Sequence, residues 1–365
     1  MATATYRIFD PLLPRAQAER MLRLCERFGA YGMYSQEASE AEIGQGLFQR
    51  HDAVMNFLKT GGRFGRHDSI ASLGARTNYF RESYAYGDEV RIDGIEPFLR
   101  YEGFVEAARA IHGRPVIEPA IVYANLLVPG QELAVHTDVP EFRGANRKLY
   151  PQWLMVVMHH SGLFDEYRMP IATAVGWFND CHGGEFAFYP QGGDGPAATI
   201  PARTNTGIIL DTDSVFHGVD PVESDSPLPA LRPGMRLRWD HGRWLVHDGD
   251  AVIARYPWDE IRFSISWKAY CFTDAEERRA WREHQEDLAL EGILDRLVED
   301  LRARGRLEGE RPDPTSLALM LIGEYVKFIW LLMFTVPPIT TRPIGSTATA
   351  SAESNLPAKS GPPES

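Results

Sequence analysis

The stretch VPGQELAVHTDVPEFRG, Val128 to Gly144, decides how this chain is read. An apolar, alternating run ends at His136, and Asp138 follows two residues later. On an extended backbone residues i and i+2 point to the same side. His136 and Asp138 therefore aim at one point, just before a charged, Pro-containing loop. Two such side chains suit a metal ion, but the same pattern also makes an ordinary polar turn between strands. The surrounding chain has to separate the two readings.

Working outward, Val116 to Phe272 is a series of short β-type runs with turn signals between them: PAIVYANLLV, QWLMVVMHH, ATAVGWF, GEFAFYP, TGIILDT, RLRWDHGRWLVHDGDAVIARY and IRFSISWKAYCF. Many short strands at close spacing indicate a sandwich or barrel, not a parallel α/β sheet. The Asp-Gly of WLVHDGDAVI, between apolar flanks, reads as a hairpin turn. Before this region, Pro14–Gly29 and Glu96–Pro115 carry helical periodicity ended by Gly or Pro, and Ser69–Asp88 reads as loops and short strands. After it, Thr273 and Glu276 form a capping-box pattern that opens a charged helical stretch. From Thr340 the Ser-, Thr-, Pro- and Ala-rich tail cannot bury a core and is expected to be disordered. The expected fold is mainly β with N- and C-terminal helices. Its expected parts are a helical and mixed segment (1–115), a β core (116–272), C-terminal helices (273–339) and the tail (340–365).

Composition narrows the function classes. The chain has 365 residues, of which 44% are hydrophobic, enough for a sizeable core. Its net charge is −12 with no basic run, which argues against nucleic-acid binding. Cys25, Cys181 and Cys271 lie far apart and show no CxxC spacing, so neither a zinc ribbon nor a disulfide framework is expected. The N-terminus has no signal-peptide core, and a cytoplasmic location is expected. Leu317–Val336 is 20 residues long, with only Glu324 and Lys327 charged. Those charges cost about 3 kcal/mol each at a bilayer centre and offset the apolar gain. A buried or subunit-interface helix, such as a homodimer would use, is expected ahead of a membrane span.

A redox iron needs ligands on one face and open positions on the other, which two His and one carboxylate provide. The third ligand has to come from a facing strand. The candidate is His217 in TGIILDTDSVFHGVDPV, after an apolar strand and a tight polar turn. Further on, IRFSISWKAYCF places Arg262, Ser264 and Ser266 on one face by alternation. A buried Arg needs an anionic partner, and none is supplied locally. A guanidinium with a hydroxyl two residues on makes a clamp for a carboxylate.

Taken in order, NLLVPGQELAVHTD, CHGGEFAFYP, VFHGVDPV and RFSISWKAYCF resemble the 2-oxoglutarate/Fe(II)-dependent oxygenases, in particular their prolyl-hydroxylase-like branch. The resemblance covers roughly Tyr6 to Phe272. It implies a double-stranded β-helix (jelly-roll) core and iron held by His136, Asp138 and His217. It further implies that the side-chain carboxylate of 2-oxoglutarate meets Arg262 and Ser264, with Asn125 or Tyr123 also touching this cosubstrate. O2 is the second cosubstrate, and ascorbate an optional reductant. The implied activity is hydroxylation of an unactivated C–H in a small molecule or amino acid. The alternatives are a peptidyl, prolyl-type hydroxylase and a jelly-roll binding module without catalysis. Ligand carboxylate Asp138 separates the chain from related halogenases, which lack it.

Two departures stand out. The family's Arg follows the distal His by about ten residues, whereas Arg262 lies 45 beyond His217. Arg232, Arg236 and Arg238 are its rivals, and Arg262 is preferred because it alone opens a Ser-alternating β run. Lys268 sits where nucleic-acid demethylases of the superfamily place the second residue of Arg-x5-Arg. The loop VPEFRGANRKLYP is expected to be a lid, with Arg143 as a substrate contact, and Ala75–Gly87 the opposite wall. His159 and His160, ending an apparent strand, would point to opposite faces and so not share an ion. Asp211 and Asp213 read as loop formers, Glu185 as a structural strand residue, and Cys181–His182 as no site.

Overall fold

The structure is a computed structural model that describes residues 4–34, 65, 74–146, 149–225, 227–326 and 342–343. Its first strands are β1 (Tyr6–Phe9), β2 (Ala30–Met33), β3 (Phe80–Tyr86), β4 (Glu89–Val90), β5 (Val116–Leu127) and β6 (Leu133–His136). Then come β7 (Glu141–Phe142), β8 (Arg168–Met169), β9 (Ile171–Trp177), β10 (Phe186–Phe188), β11 (Ala198–Ile200) and β12 (Thr206–Leu210). The last are β13 (His217–Val219), β14 (Arg236–Asp240), β15 (Arg243–Asp248), β16 (Ala251–Tyr256), β17 (Arg262–Phe272) and β18 (Arg342–Pro343). The major sheet runs β1-β12-β9-β17-β5-β3-β2-β14-β15-β16, with β4 beside β3, and its pairings are antiparallel. The minor sheet runs β18-β11-β10-β13-β6.

The core strand is β17, RFSISWKAYCF, every residue of which is buried. Alternation gives its two faces different tasks. Phe263, Ile265 and Trp267 join a core with Leu24, Phe98 and Phe104 of the N-terminal helices. Arg262, Ser264, Ser266 and Lys268 take the other face. On that side Val175, Trp177, Ile208 and Leu210 of the major sheet pack with Phe186, Phe188 and Ile200 of the minor sheet. The two sheets therefore face each other over an apolar layer, and the polar half of β17 opens into the space between them. The molecule is mainly β with helices on the outside, in line with the expected class.

The 45-residue gap before Arg262 has a simple form. Strands β14, β15 and β16 are a meander, joined through β14 to β2, that widens the major sheet. The expected Asp-Gly turn connects β15 to β16. This addition leaves β17 in place between β5 and β9.

Several expectations are corrected. QWLMVVMHH is not a strand but the helix Gln152–Ser161, with Pro151 before it and the left-handed Gly162 (φ 68°) closing it. Leu154, Met155, Val157 and Met158 bury against Leu297, Leu301, Leu317 and Leu321 of the C-terminal helices. A continuous apolar run fits a buried helix as well as a buried strand, and here the helical neighbours decide. Glu96–Pro115 is two helices, Glu96–Leu99 and Glu102–His112. The cap of helix Ala275–Arg282 is Asp274, whose carboxylate accepts from the Glu276 and Glu277 amides, while Thr273 bonds to Glu277. Helix Pro314–Tyr325 buries Leu317 and Leu321, and no described helix is long and apolar enough to cross a membrane. Residues 327–336 of the apolar segment, and the tail apart from 342–343, lie outside the described residues.

Candidate metal and carboxylate site

His136 is the last residue of β6 and His217 the first of β13, and the two are direct partners in the antiparallel pairing. Their rings lie 4.3 Å apart, centroid to centroid. The chain leaves β6, and the Asp138 amide donates to the Thr212 carbonyl at 2.8 Å, which fixes the turn that brings its carboxylate round. One ligand atom each from His136, Asp138 and His217 falls within 4.8 Å of the others. The pair read from the opening stretch and the distant histidine are thus brought together.

The imidazoles are oriented for a metal. His136 Nδ1 lies 2.6 Å from the Ala134 carbonyl oxygen, and His217 Nδ1 lies 2.9 Å from that of Val215. A carbonyl only accepts, so Nδ1 carries the proton in both rings and Nε2 keeps its lone pair. Fixing the tautomer through the far nitrogen is how ligating histidines are commonly held. His136 is 1% exposed, and its buried Nε2 has no hydrogen-bond partner; it faces Asp138 Oδ1 at 3.9 Å. A buried acceptor left open beside a carboxylate is what a divalent cation would satisfy. The donor set of two imidazoles and one carboxylate fits iron(II).

Asp138 is held from behind by a residue the sequence reading placed only by its spacing. Lys268 of β17, 9% exposed, donates to Asp138 Oδ2 at 2.8 Å and to Thr173 Oγ1 at 3.1 Å. Thr173 stands directly opposite Lys268 on β9 and accepts from Thr212 at 2.8 Å. Burial works against the Lys268 charge, but the Asp138 carboxylate, helped by Tyr123 and Asp213, outweighs it and raises the Lys268 pKa.

At the other end of the same face lies Arg262, 2% exposed. Its Nε donates to the Gly184 carbonyl at 2.6 Å and its Nη1 to Ser264 Oγ at 3.2 Å, while its buried Nη2 has no partner. Among the described residues no carboxylate lies within ion-pair distance of it. Burial lowers its pKa to about 10, with Cys181, Glu185 and Asp220 pulling the other way, so it stays charged at neutral pH. The Gly-Gly of CHGGEF seats it. Gly184 has φ +65°, and a Cβ there would stand 2.7 Å from Arg262 Cδ. The three rivals are elsewhere: Arg232 pairs with Asp248, and Arg236 and Arg238 lie exposed on β14.

One cavity connects these groups. His136, Asp138, His217 and Arg262 line it together with Asn125 and Tyr123. Ser264 lines it too, and Leu127, Val175 and Phe186 supply apolar wall. Asn125 Oδ1 is buried there without a partner. A second cavity continues past Asp138, Tyr79 and Tyr123 toward Arg81 and Glu141. Tyr79 and Arg81 belong to the Ala75–Gly87 stretch. Arg143 is not brought to either cavity. It bonds to Glu286 at 2.9 Å and to the Glu166 carbonyl at 3.3 Å. Its loop, expected as a lid, is packed down: Phe142 and Ala145 are buried with the C-terminal helices, and Gly144 abuts Leu288. His159 and His160 sit at the end of a helix, apart from the site.

No protein-family model and no curated protein sequence matches the chain. Among solved structures it is similar to a Pseudomonas putida prolyl-4-hydroxylase, with 11% identity, 74% of this chain and 94% of that one covered, and a TM-score of 0.37. It is also similar to SnoN, a non-heme α-ketoglutarate-dependent epimerase of nogalamycin biosynthesis (10%, 74% and 79%, 0.40). The α-ketoglutarate-dependent carbocyclase SnoK of nogalamycin biosynthesis is a third (9%, 77% and 87%, 0.40). At such identities the site has to be read from its own geometry.

Proposed function

We propose that the protein is an Fe(II)- and 2-oxoglutarate-dependent oxygenase built on a double-stranded β-helix, acting on a small molecule. The observation that carries this reading is one cavity with a His-Asp-His cluster at one side and a buried, unpaired Arg262 at the other. Each half alone has other uses. Together they fit a ligand with a carboxylate at its far end and a chelating group near the metal, which is the chemistry of 2-oxoglutarate. Iron(II) with this cosubstrate and O2 supplies oxidative attack on an unactivated C–H bond; the protein supplies orientation and exclusion.

In this reading His136 and His217 present Nε2 lone pairs, and Asp138 presents Oδ1. Lys268 occupies Asp138 Oδ2, so Asp138 would offer a metal a single oxygen. Arg262 and Ser264 hold the distal carboxylate, and Asn125 offers its amide to the middle of the cosubstrate. Leu127, Val175 and Phe186 keep water from the space between.

Anaerobic titration with Fe(II) and 2-oxoglutarate should give a weak visible charge-transfer band. His136→Ala should abolish the band together with succinate release, and Arg262→Met should weaken 2-oxoglutarate binding at least about 100-fold while sparing the metal, as expected for loss of a buried charge-assisted contact. Folded protein that binds 2-oxoglutarate but releases no succinate would place the chain among binding modules. Absence of any band would remove the oxygenase reading.

A further inference from the structure

The second cavity contains two opposite charges that do not meet. Arg81, on β3, stands next to β5, and its guanidinium lies over the Tyr123 ring at 3.6 Å and over Tyr34 at 4.7 Å. Tyr34 is in turn stacked on Tyr79 at 5.1 Å. Among the described residues no carboxylate pairs with Arg81. Glu141, on β7, accepts a hydrogen bond from the Tyr270 hydroxyl at 2.7 Å, and no cation among the described residues pairs with it. Both side chains line the cavity that begins at Asp138. The remaining charges of that wall, Lys268 and Asp138, already satisfy each other.

We infer that this cavity takes the primary substrate, and that the substrate is a zwitterion of the free amino-acid class. Its carboxylate pairs with Arg81 and its ammonium with Glu141. The inference rests on the oxygenase reading and names the substrate class of that same site. Three points carry it. A cation and an anion facing one cavity without reaching each other leave a gap that a ligand with both charges fills. Arg81 lies against two aromatic rings, so little freedom is lost when it forms a planar, two-pronged contact with a carboxylate. Glu141 is aimed by a phenol, which donates to one oxygen and leaves carboxylate capacity for a donor. A peptide substrate fits poorly, because an internal residue has neither charge.

The test is a binding screen on the full chain, by isothermal titration, with the twenty common free amino acids as probes. For each one that binds, its carboxamide, its N-acetyl derivative and the amine lacking the carboxylate are titrated as well. At least one free amino acid is expected to bind, and each modified form to bind about tenfold or more weakly, the loss of one charge-assisted contact. Arg81→Gln should remove the preference for the acid over the carboxamide, and Glu141→Gln the preference for the free amine over the N-acetyl form. The two variants are independent, so a folding defect in one leaves the other informative. Equal binding of charged and capped forms, or unchanged preferences in both variants, overturns the proposal. Binding of 2-oxoglutarate to the unmodified protein, measured alongside, separates the outcomes: if it binds and no amino acid does, the substrate class is wrong, and if it does not bind, the underlying reading is wrong.

Discussion

Arg262 and Asp213 show what a single buried charge does at opposite ends of legibility. Arg262 was readable because its own strand announces it: an Arg, two Ser and a Lys alternate with Phe, Ile and Trp. Gly184 is part of the same device. Gly184→Ala would force a side chain into a left-handed backbone, costing about 1–2 kcal/mol, and would displace Arg262. Urea unfolding should show that loss, and 2-oxoglutarate affinity should fall while metal affinity stays. Asp213 does lie in the turn its sequence suggests, but its side chain does not build it. Asp211 has that task, accepting from the Asp213 amide at 3.1 Å. Asp213 itself is 2% exposed, and neither carboxyl oxygen has a hydrogen-bond partner. Burial raises its pKa well above the usual carboxylate range, Lys268 opposing this and Asp211 and Asp138 adding to it. A carboxyl whose folded pKa exceeds its unfolded one holds its proton more tightly when folded, so it loses stability as pH rises above the unfolded value. Asp213→Asn should therefore raise the melting temperature at pH 7, and the gain should shrink toward pH 4. A gain that is independent of pH would contradict this origin. Nothing in the local sequence separates Asp211 from Asp213, since only the packing of other strands decides which is covered. Lys268 drew notice only by its spacing from Arg262, because its partner Asp138 lies 130 residues away.

At the scale of elements, strands with period-two patterning were legible and continuous apolar runs were not. β17 alternates visibly between polar and apolar residues. Residues 152–160 are apolar throughout except at their ends, so only the neighbouring C-terminal helices make them a helix. Local capping chemistry was legible to within one residue: the expected Thr273 cap is Asp274. Asp274→Ala should lower stability by about 1 kcal/mol, whereas Thr273→Ala should cost less, a comparison that two chemical denaturation curves settle. The long gap before Arg262 looked like a defect in the motif order. As an added three-strand meander at the β2 edge, it explains how the order survives such an insertion: strands attached to the outer edge leave the β5-β17-β9 centre unchanged.

For the whole molecule, two sheets meet over an apolar layer, and helices cover the far side of the larger one. The polar groups of the candidate site sit where that layer gives way to the polar half of β17. Few sequence signals locate such a boundary, because it depends on which strands come to face each other; the ordered motifs carried that information only through a resemblance. One consequence concerns the empty protein. On the proposed function its buried guanidinium takes a ligand as counterion, so folding and ligand occupancy are thermodynamically linked. Dicarboxylates at a hundredfold excess over Kd should stabilise even metal-stripped protein by about 2.7 kcal/mol and so raise its melting temperature. Arg262→Met should abolish that response and leave the ligand-free protein more heat-resistant than the parent, since an apolar side chain of similar length has no charge to desolvate. The melting point of a purified sample would then report the anions in its buffer.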